Sequence, residues 1–283
     1  MFTNLCKKLF PTSLTPISGC IKDLDVLKIK QTIFLSLCAY KSKIDISKFT
    51  ESEFQEPPIF YNDNTTDVQA ISTKTKDTMF IAFRGSTTMT DFMHDFMMFM
   101  VPFIGDKGNV HRGFYTQFLA ISNNLKIDID TWIDSIGDEK DKTIVFCGHS
   151  LGSSLATIAS AYFGSIYKNK NNNIKIQLYA YGSPRCGDAK FVKFTESIVD
   201  SYYRVVNKKD PVCEYPTIYP YSHIGNCIHL NEHGKFNLSS FDTPLQYRIL
   251  HLMNFNVQDH LISEYMHSIH DVCKITFYDD VKN

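Results

Sequence analysis

The sequence predicts an α/β fold, with a mostly parallel central sheet flanked by helices. Three observations point there. Apolar, β-branched runs alternate with helical patterns along the chain. One run, Thr143 to Phe146, passes through Gly148-His149-Ser150-Leu151-Gly152 into a helical pattern. At 283 residues and 43% hydrophobic content, the chain can fill the core of one large α/β domain.

The pentapeptide fits G-x-S-x-G in the strand–turn–helix context that the motif requires. Beyond it, Leu155, Ile158 and Tyr162 fall at helical spacing among Ala and Ser. A turn this sharp holds the serine in a strained backbone conformation, and side chains two positions away would collide. Gly148 and Gly152 remove those collisions. Ser150 Oγ then stands exposed above the sheet, beside the positive end of a helix, which makes it a candidate nucleophile. The plainer alternative is a helix N-cap with glycine on either side.

Composition excludes several classes. A net charge of −1 implies no broad electrostatic partner such as nucleic acid. No run of 18 apolar residues occurs, so no transmembrane segment is expected. The first twenty residues lack a sustained apolar core and an A-x-A site, and do not read as a signal peptide. Eight scattered cysteines without C-x-x-C pairs argue against zinc. Reduced thiols in an intracellular, cytoplasmic compartment are the favoured expectation. Cys147, at the end of the nucleophile strand, reads as a small buried hydrophobe.

Taken in order, residues 1–20 read as an N-terminal arm and 21–283 as a single domain. Ile21 to Tyr40 reads as a long helix, and Pro57 and Pro58 close the loop after it. Thr66 to Thr73 and Thr78 to Phe83 read as strands, the second central because it is nearly all apolar. It runs into Arg84-Gly85-Ser86-Thr87. There, backbone N–H groups and the Ser86 hydroxyl are candidate donors to a developing oxyanion; an ordinary strand-to-helix cap is the alternative.

From Thr88 to Phe103, residues Met89, Phe92, Met93, Phe96 and Met97 share one helical face. That face suits a helix packed on its apolar side, or a mobile cover that turns outward at an apolar surface. A helical pattern follows His111 and runs through Phe118, Ile121, Leu125 and Trp132, with His111 read as structural. Ile174 to Tyr181 and Tyr203 to Val206 read as strands, Phe191 to Ile198 as a helix. Asp210 lies just past a strand end and before a proline, where a triad acid or an Asp-Pro turn would sit. Leu252 to Val272 has helical spacing and contains His260. Chain order alone leaves His223, His229, His233, His251, His267 and His270 open as the base.

Five segments in order resemble the fungal-type, class 3 triacylglycerol lipases of the α/β-hydrolase superfamily. They are Ile81 to Ser86 with Asp91 and Asp95, Val110 to Phe114, Gly148 to Gly152, Tyr181 to Arg185 with Gly187, and Arg204 to Val212 ending at Pro216. Tyr221-His223-Gly225 and Asp259-His260-Tyr265 resemble the family's late motifs, so the likeness spans roughly Thr78 to His270. It implies an α/β-hydrolase fold, with Ser150 as nucleophile, Asp210 as triad acid and His260 as general base. It implies an oxyanion hole from Ser86 and the Leu151 N–H, and a lid over about 87–99. Neither a cofactor nor a metal is implied. The implied partner is a lipid ester substrate, with transient binding to lipid interfaces through the lid. Phe92 stands where the family usually has Trp. An acylglycerol lipase or esterase is the leading expectation. A phospholipase or acyltransferase on the same scaffold and a catalytically silent lipid-binding protein are the alternatives.

Overall fold

The computed structural model describes residues 25–41, 54–55, 57–86, 99–137, 140–168, 173–225, 227–231, 236–239 and 255–273. The arm at 1–20 and the expected lid, apart from Phe99, lie outside the described residues. Twelve strands are described: β1 (Ile59–Asp63), β2 (Val68–Lys74), β3 (Thr78–Phe83), β4 (Met100–Pro102), β5 (Asn109–His111), β6 (Lys142–His149), β7 (Ile174–Tyr181), β8 (Gly187–Asp188), β9 (Ser201–Asn207), β10 (Tyr221–Ser222), β11 (Cys227–Leu230) and β12 (Phe236–Ser239). The α-helices are α1 (Val26–Cys38), α2 (Arg112–Ile136), α3 (Leu151–Tyr167), α4 (Ala189–Ile198) and α5 (Ile262–Cys273).

Eight strands form the main sheet in the order β1-β2-β3-β6-β7-β9-β11-β12. The pairings β3–β6, β6–β7, β7–β9 and β9–β11 are parallel. Both edges are antiparallel, through β1–β2–β3 and β11–β12. A parallel sheet is covered on both faces, so its strands are apolar on both. All six residues of β3 are buried. Met79, Ile81 and Phe83 enter one core with Ile144, Phe146 and the helices α2, α3 and α4. Phe80 and Ala82 enter the opposite core with Val145, Cys147, α1 and α5. Each fully buried large apolar side chain contributes about 1.5–3 kcal/mol.

The second sheet is small, with the order β10-β8-β5-β4. Its strands have only two or three residues, too few to show a period, and the sequence reading did not include them. That reading also lacked β1, β11 and β12. The N-terminal helix is shorter than the expected 21–40 among the described residues, starting at Val26 behind an Asp25 cap whose carboxylate accepts Lys28 N at 2.9 Å.

The expected helix from Leu252 is a further correction. Among the described residues, Val257–His260 forms a 3-10 turn and Leu261 is extended at φ −63°, ψ 136° before α5 begins. The His260 carbonyl faces His149 Nε2 at 2.7 Å instead of joining a helical ladder. This break aims the His260 ring back toward the end of β6.

Candidate active site

Ser150 sits between β6 and α3 with φ 57° and ψ −130°, a backbone region costly for any residue with a side chain. The neighbours hold it there. Its N–H donates to Tyr181 O at 2.9 Å, and Ser153 N donates to the Ser150 carbonyl at 3.0 Å. The flanking glycines are sterically required. A Cβ on Gly148 would come within 2.4 Å of Gly152 C, and one on Gly152 within 2.2 Å of Phe83 O. The turn is thus pressed against the exit of β3. Ser150 is the N-cap residue of α3 but makes no side-chain capping bond. Its Oγ instead lies 2.9 Å from His260 Nε2.

His260 Nδ1 faces both oxygens of Asp210, at 3.0 and 2.9 Å. A carboxylate accepts, so Nδ1 carries the proton and Nε2 is left to accept the Ser150 hydroxyl. Asp210 Oδ1 also accepts Val212 N at 2.9 Å, which is the local turn bond expected of Asp-Pro. Its Oδ2 accepts the Tyr265 hydroxyl at 2.6 Å. Burial raises the Asp210 carboxyl, but the His260 charge and the hydrogen bonds from His260, Tyr265 and Val212 outweigh it and hold the group below its ordinary value. Gly182, at φ 58°, lets the backbone pass beneath: a Cβ there would sit 2.9 Å from Asp210 Oδ2 and 3.2 Å from His260 Cε1.

Four other described histidines, His223, His229, His267 and His111, have neighbours away from Ser150. His223 Nε2 faces Cys213 O at 2.6 Å and His229 Nε2 faces Lys208 O at 2.7 Å. The His267 side chain is 73% exposed, beside Glu264. His111 accepts Phe114 N and stacks on Phe114 at 4.0 Å, capping α2 as a structural residue. His233 and His251 lie outside the described residues.

The two expected oxyanion donors flank the serine in different ways. Leu151 opens α3, so its N–H belongs to the first turn, where N–H groups lack intrahelical acceptors. Ser86 is half-buried and follows Gly85, whose absent Cβ would lie 3.1 Å from Ser150 Cβ. Arg84 points away from the serine and anchors the loop to Gln69 Oε1 at 2.9 Å and to Asp67 O at 2.8 Å. No cluster of metal-ligating side chains occurs among the described residues.

Residues 80–219 match the family described as lipase (class 3). Over those residues, close to half of the chain, the sequence is similar to the class 3 lipase family. The secreted mono- and diacylglycerol lipase 1 of Fusarium solani is 33% identical over 111 residues, covering 38% of this chain and 30% of that one. Phospholipase A1-IIalpha of Arabidopsis thaliana is 27% identical over 198 residues, covering 60% and 45%. Matches to the curated relatives span from 17% to 51% of their own lengths. The native Rhizomucor miehei lipase in its propeptide complex superposes with a TM-score of 0.68 at 19% identity, over 84% of this chain and 80% of that one. The α/β-hydrolase fold expected of the family is therefore present. No helix among the described residues is long and apolar enough to cross a membrane. The expected intracellular location finds no support in these relatives, since the Fusarium relative is named as secreted.

Sequence reasoning missed Tyr40 and His149 as neighbours of His260 and Ser150. His149 Nδ1 lies 3.0 Å from Tyr40 OH, and the His149 ring packs 4.7 Å from that of His260. The two residues are 109 positions apart, so no local pattern links them.

Proposed function

We propose that this protein is a serine hydrolase that cleaves carboxylic esters of lipids through an acyl-enzyme. One observation carries the reading: Ser150 Oγ, His260 and Asp210 form a continuous hydrogen-bonded row at a strained strand–helix turn. His260 Nε2 takes the Ser150 proton as Oγ attacks the ester carbonyl carbon. Asp210 orients the imidazole and stabilises the imidazolium. The Leu151 N–H and Ser86 bind the oxyanion, where losing one donor costs about 100- to 1000-fold in rate. His260 then protonates the departing alkoxide. Water, activated by the same imidazole, hydrolyses the acyl-enzyme and restores Ser150.

An acylglycerol is the favoured substrate, supported by the lipase family match and the Fusarium relative. The Arabidopsis relative favours a second reading, a phospholipid ester cleaved by the same groups. The segment from Thr87 to about Phe99 acts as a lid that opens at lipid interfaces, supported by the spacing of Met and Phe in its sequence. Phe99, at its end, is 60% exposed.

The test is hydrolysis of a series from acetyl to oleoyl esters of glycerol and of phosphatidylcholine, below and above their solubility limits. The proposal expects turnover of lipid esters that Ser150→Ala abolishes. Turnover unchanged in that variant overturns it. The preferred head group separates the two substrate readings.

A further inference from the structure

Beside the triad lies a second hydrogen-bonded chain that the mechanism above does not use. Its polarity can be assigned end to end. His149 Nε2 faces the His260 carbonyl, which only accepts, so Nε2 carries a proton. In the neutral ring, Nδ1 then accepts, and the Tyr40 hydroxyl donates to it across 3.0 Å. The Tyr40 oxygen in turn packs against Gly85, whose backbone N–H stabilises its charged form. The fit is tight, since a Cβ on Gly85 would lie 2.1 Å from Tyr40 OH and 2.6 Å from His149 O. The chain therefore runs from Tyr40 O–H, packed on Gly85, to His149, and from His149 Nε2–H to the His260 carbonyl.

Its two ends matter. Gly85 precedes Ser86 on the loop assigned to the oxyanion. The His260 carbonyl belongs to the residue that carries the base, at the break between the 3-10 turn and α5. Ser150 lies between these ends, directly after His149. We propose that Tyr40 and His149 are positioning residues that tie the oxyanion loop to the backbone of His260, fixing their spacing around Ser150. The proposal rests on the reading of Ser150 as nucleophile and His260 as base.

Two further features fit this role. Tyr40 is delivered by the C-terminal end of α1, and α1 is pinned to β7 beside the site: Thr32 Oγ1 lies 2.7 Å from Tyr181 OH, which donates to Ile29 O at 3.1 Å. Tyr40 and His260 both fall outside the 80–219 family match, so the device links parts of the chain beyond that region. The His149 ring also has to stay uncharged, because a cation stacked on His260 would oppose the imidazolium formed during catalysis. It faces His260, Asp210, Tyr265 and Tyr40, and burial, followed by the His260 charge, lowers its pKa to about 3.

The experiment uses the full chain and a soluble short ester, p-nitrophenyl butyrate below its solubility limit, so lid opening at an interface does not enter. Tyr40→Phe keeps the ring and removes its bond to His149. His149→Leu removes the link to His260, whereas the amide of His149→Gln can still donate to the His260 carbonyl. The proposal expects kcat to fall about 10- to 100-fold in Tyr40→Phe and about 100-fold in His149→Leu, with KM within about twofold. His149→Gln should recover to within about tenfold of wild type. The double variant Tyr40→Phe/His149→Leu should fall little below His149→Leu alone, because both break one chain. If His149→Leu does not fold, Tyr40→Phe and His149→Gln carry the comparison. Wild-type kcat in Tyr40→Phe, or equal losses in His149→Gln and His149→Leu, overturns the proposal. Ser150→Ala separates the two levels. If it is inactive while Tyr40→Phe is normal, only the positioning role fails; if it is active, the nucleophile reading fails.

Discussion

Replacing Tyr265 with Phe removes one oxygen atom from the deepest part of the site. That oxygen has two jobs in the structure. It donates to Asp210 Oδ2 at 2.6 Å and accepts Asn207 N at 3.1 Å, and Tyr265 and Asn207 are both 0% exposed. A hydrogen bond to a buried carboxylate is worth about 1.5–3 kcal/mol, and a buried N–H left without an acceptor costs about 1–3 kcal/mol. The two losses share one cavity and do not add fully, so the expected destabilisation is about 2–4 kcal/mol. For a chain of this size that corresponds to a melting point lower by roughly 5–15 °C. The same loss alters titration. Asp210 is held below its ordinary value of 3.8, so its contribution to stability is present above that value and lost as pH falls through the lower folded value. Removing the Tyr265 donor raises the Asp210 carboxyl, so activity should fail at a higher pH on the acid side. Calorimetry and a pH–rate profile of kcat/KM read both effects. A Tyr265→Phe protein with an unchanged melting point and an unchanged acid limb would refute the reasoning.

Gly182→Ala should cut kcat/KM at least about 100-fold while the protein still folds, since the new Cβ would press on Asp210 Oδ2 at 2.9 Å from a backbone at φ 58°; kinetics with circular dichroism checks this. Buried neutral His149, with its pKa depressed from 6.5 to about 3, contributes stability that is complete above pH 6.5 and is lost on acidification toward pH 3. Denaturant titrations should show a slope from this group of about 1.4 kcal/mol per pH unit in that window, which His149→Gln removes. The buried free thiols Cys38, Cys147, Cys186, Cys213 and Cys227 should resist alkylation in the native protein and label fully after unfolding without reductant; bridges among them by mass spectrometry would contradict this. Met93→Ser/Phe96→Ser should weaken any rise in rate as substrate passes its solubility limit; identical smooth saturation curves in variant and wild type would leave the segment as an ordinary packed helix.

What the sequence made legible followed strong local signals. The nearly all-apolar TMFIAF run forms β3, flanked on both sides, and the predicted limits of Ile174 to Tyr181 are those of β7. The Gly-His-Ser-Leu-Gly turn was readable because its glycines answer a steric need within five residues, and the gaps at Gly148 and Gly152 are 2.4 and 2.2 Å. β1 was not readable, because its exposed Ile59 and Phe60 break the alternation that marks a half-buried strand. The break at Leu261 was hidden, since a 3-10 turn followed by a helix keeps nearly helical spacing. Spacing also did not choose His260 among seven candidates; the family resemblance did. Three-dimensional proximity supplied what no pattern could, the approach of Tyr40 to His149 and of Tyr265 to Asp210.

The central claim is that Ser150 is a nucleophile activated by His260. The most direct measurement is the rate and site of modification by a fluorophosphonate, followed by mass spectrometry of the digested protein. The account predicts a single adduct on Ser150, absent in Ser150→Ala and slowed by orders of magnitude in His260→Ala, whose 2.9 Å contact to Oγ is gone. An adduct on another residue, or labelling of Ser150 at an unchanged rate in His260→Ala, would contradict it.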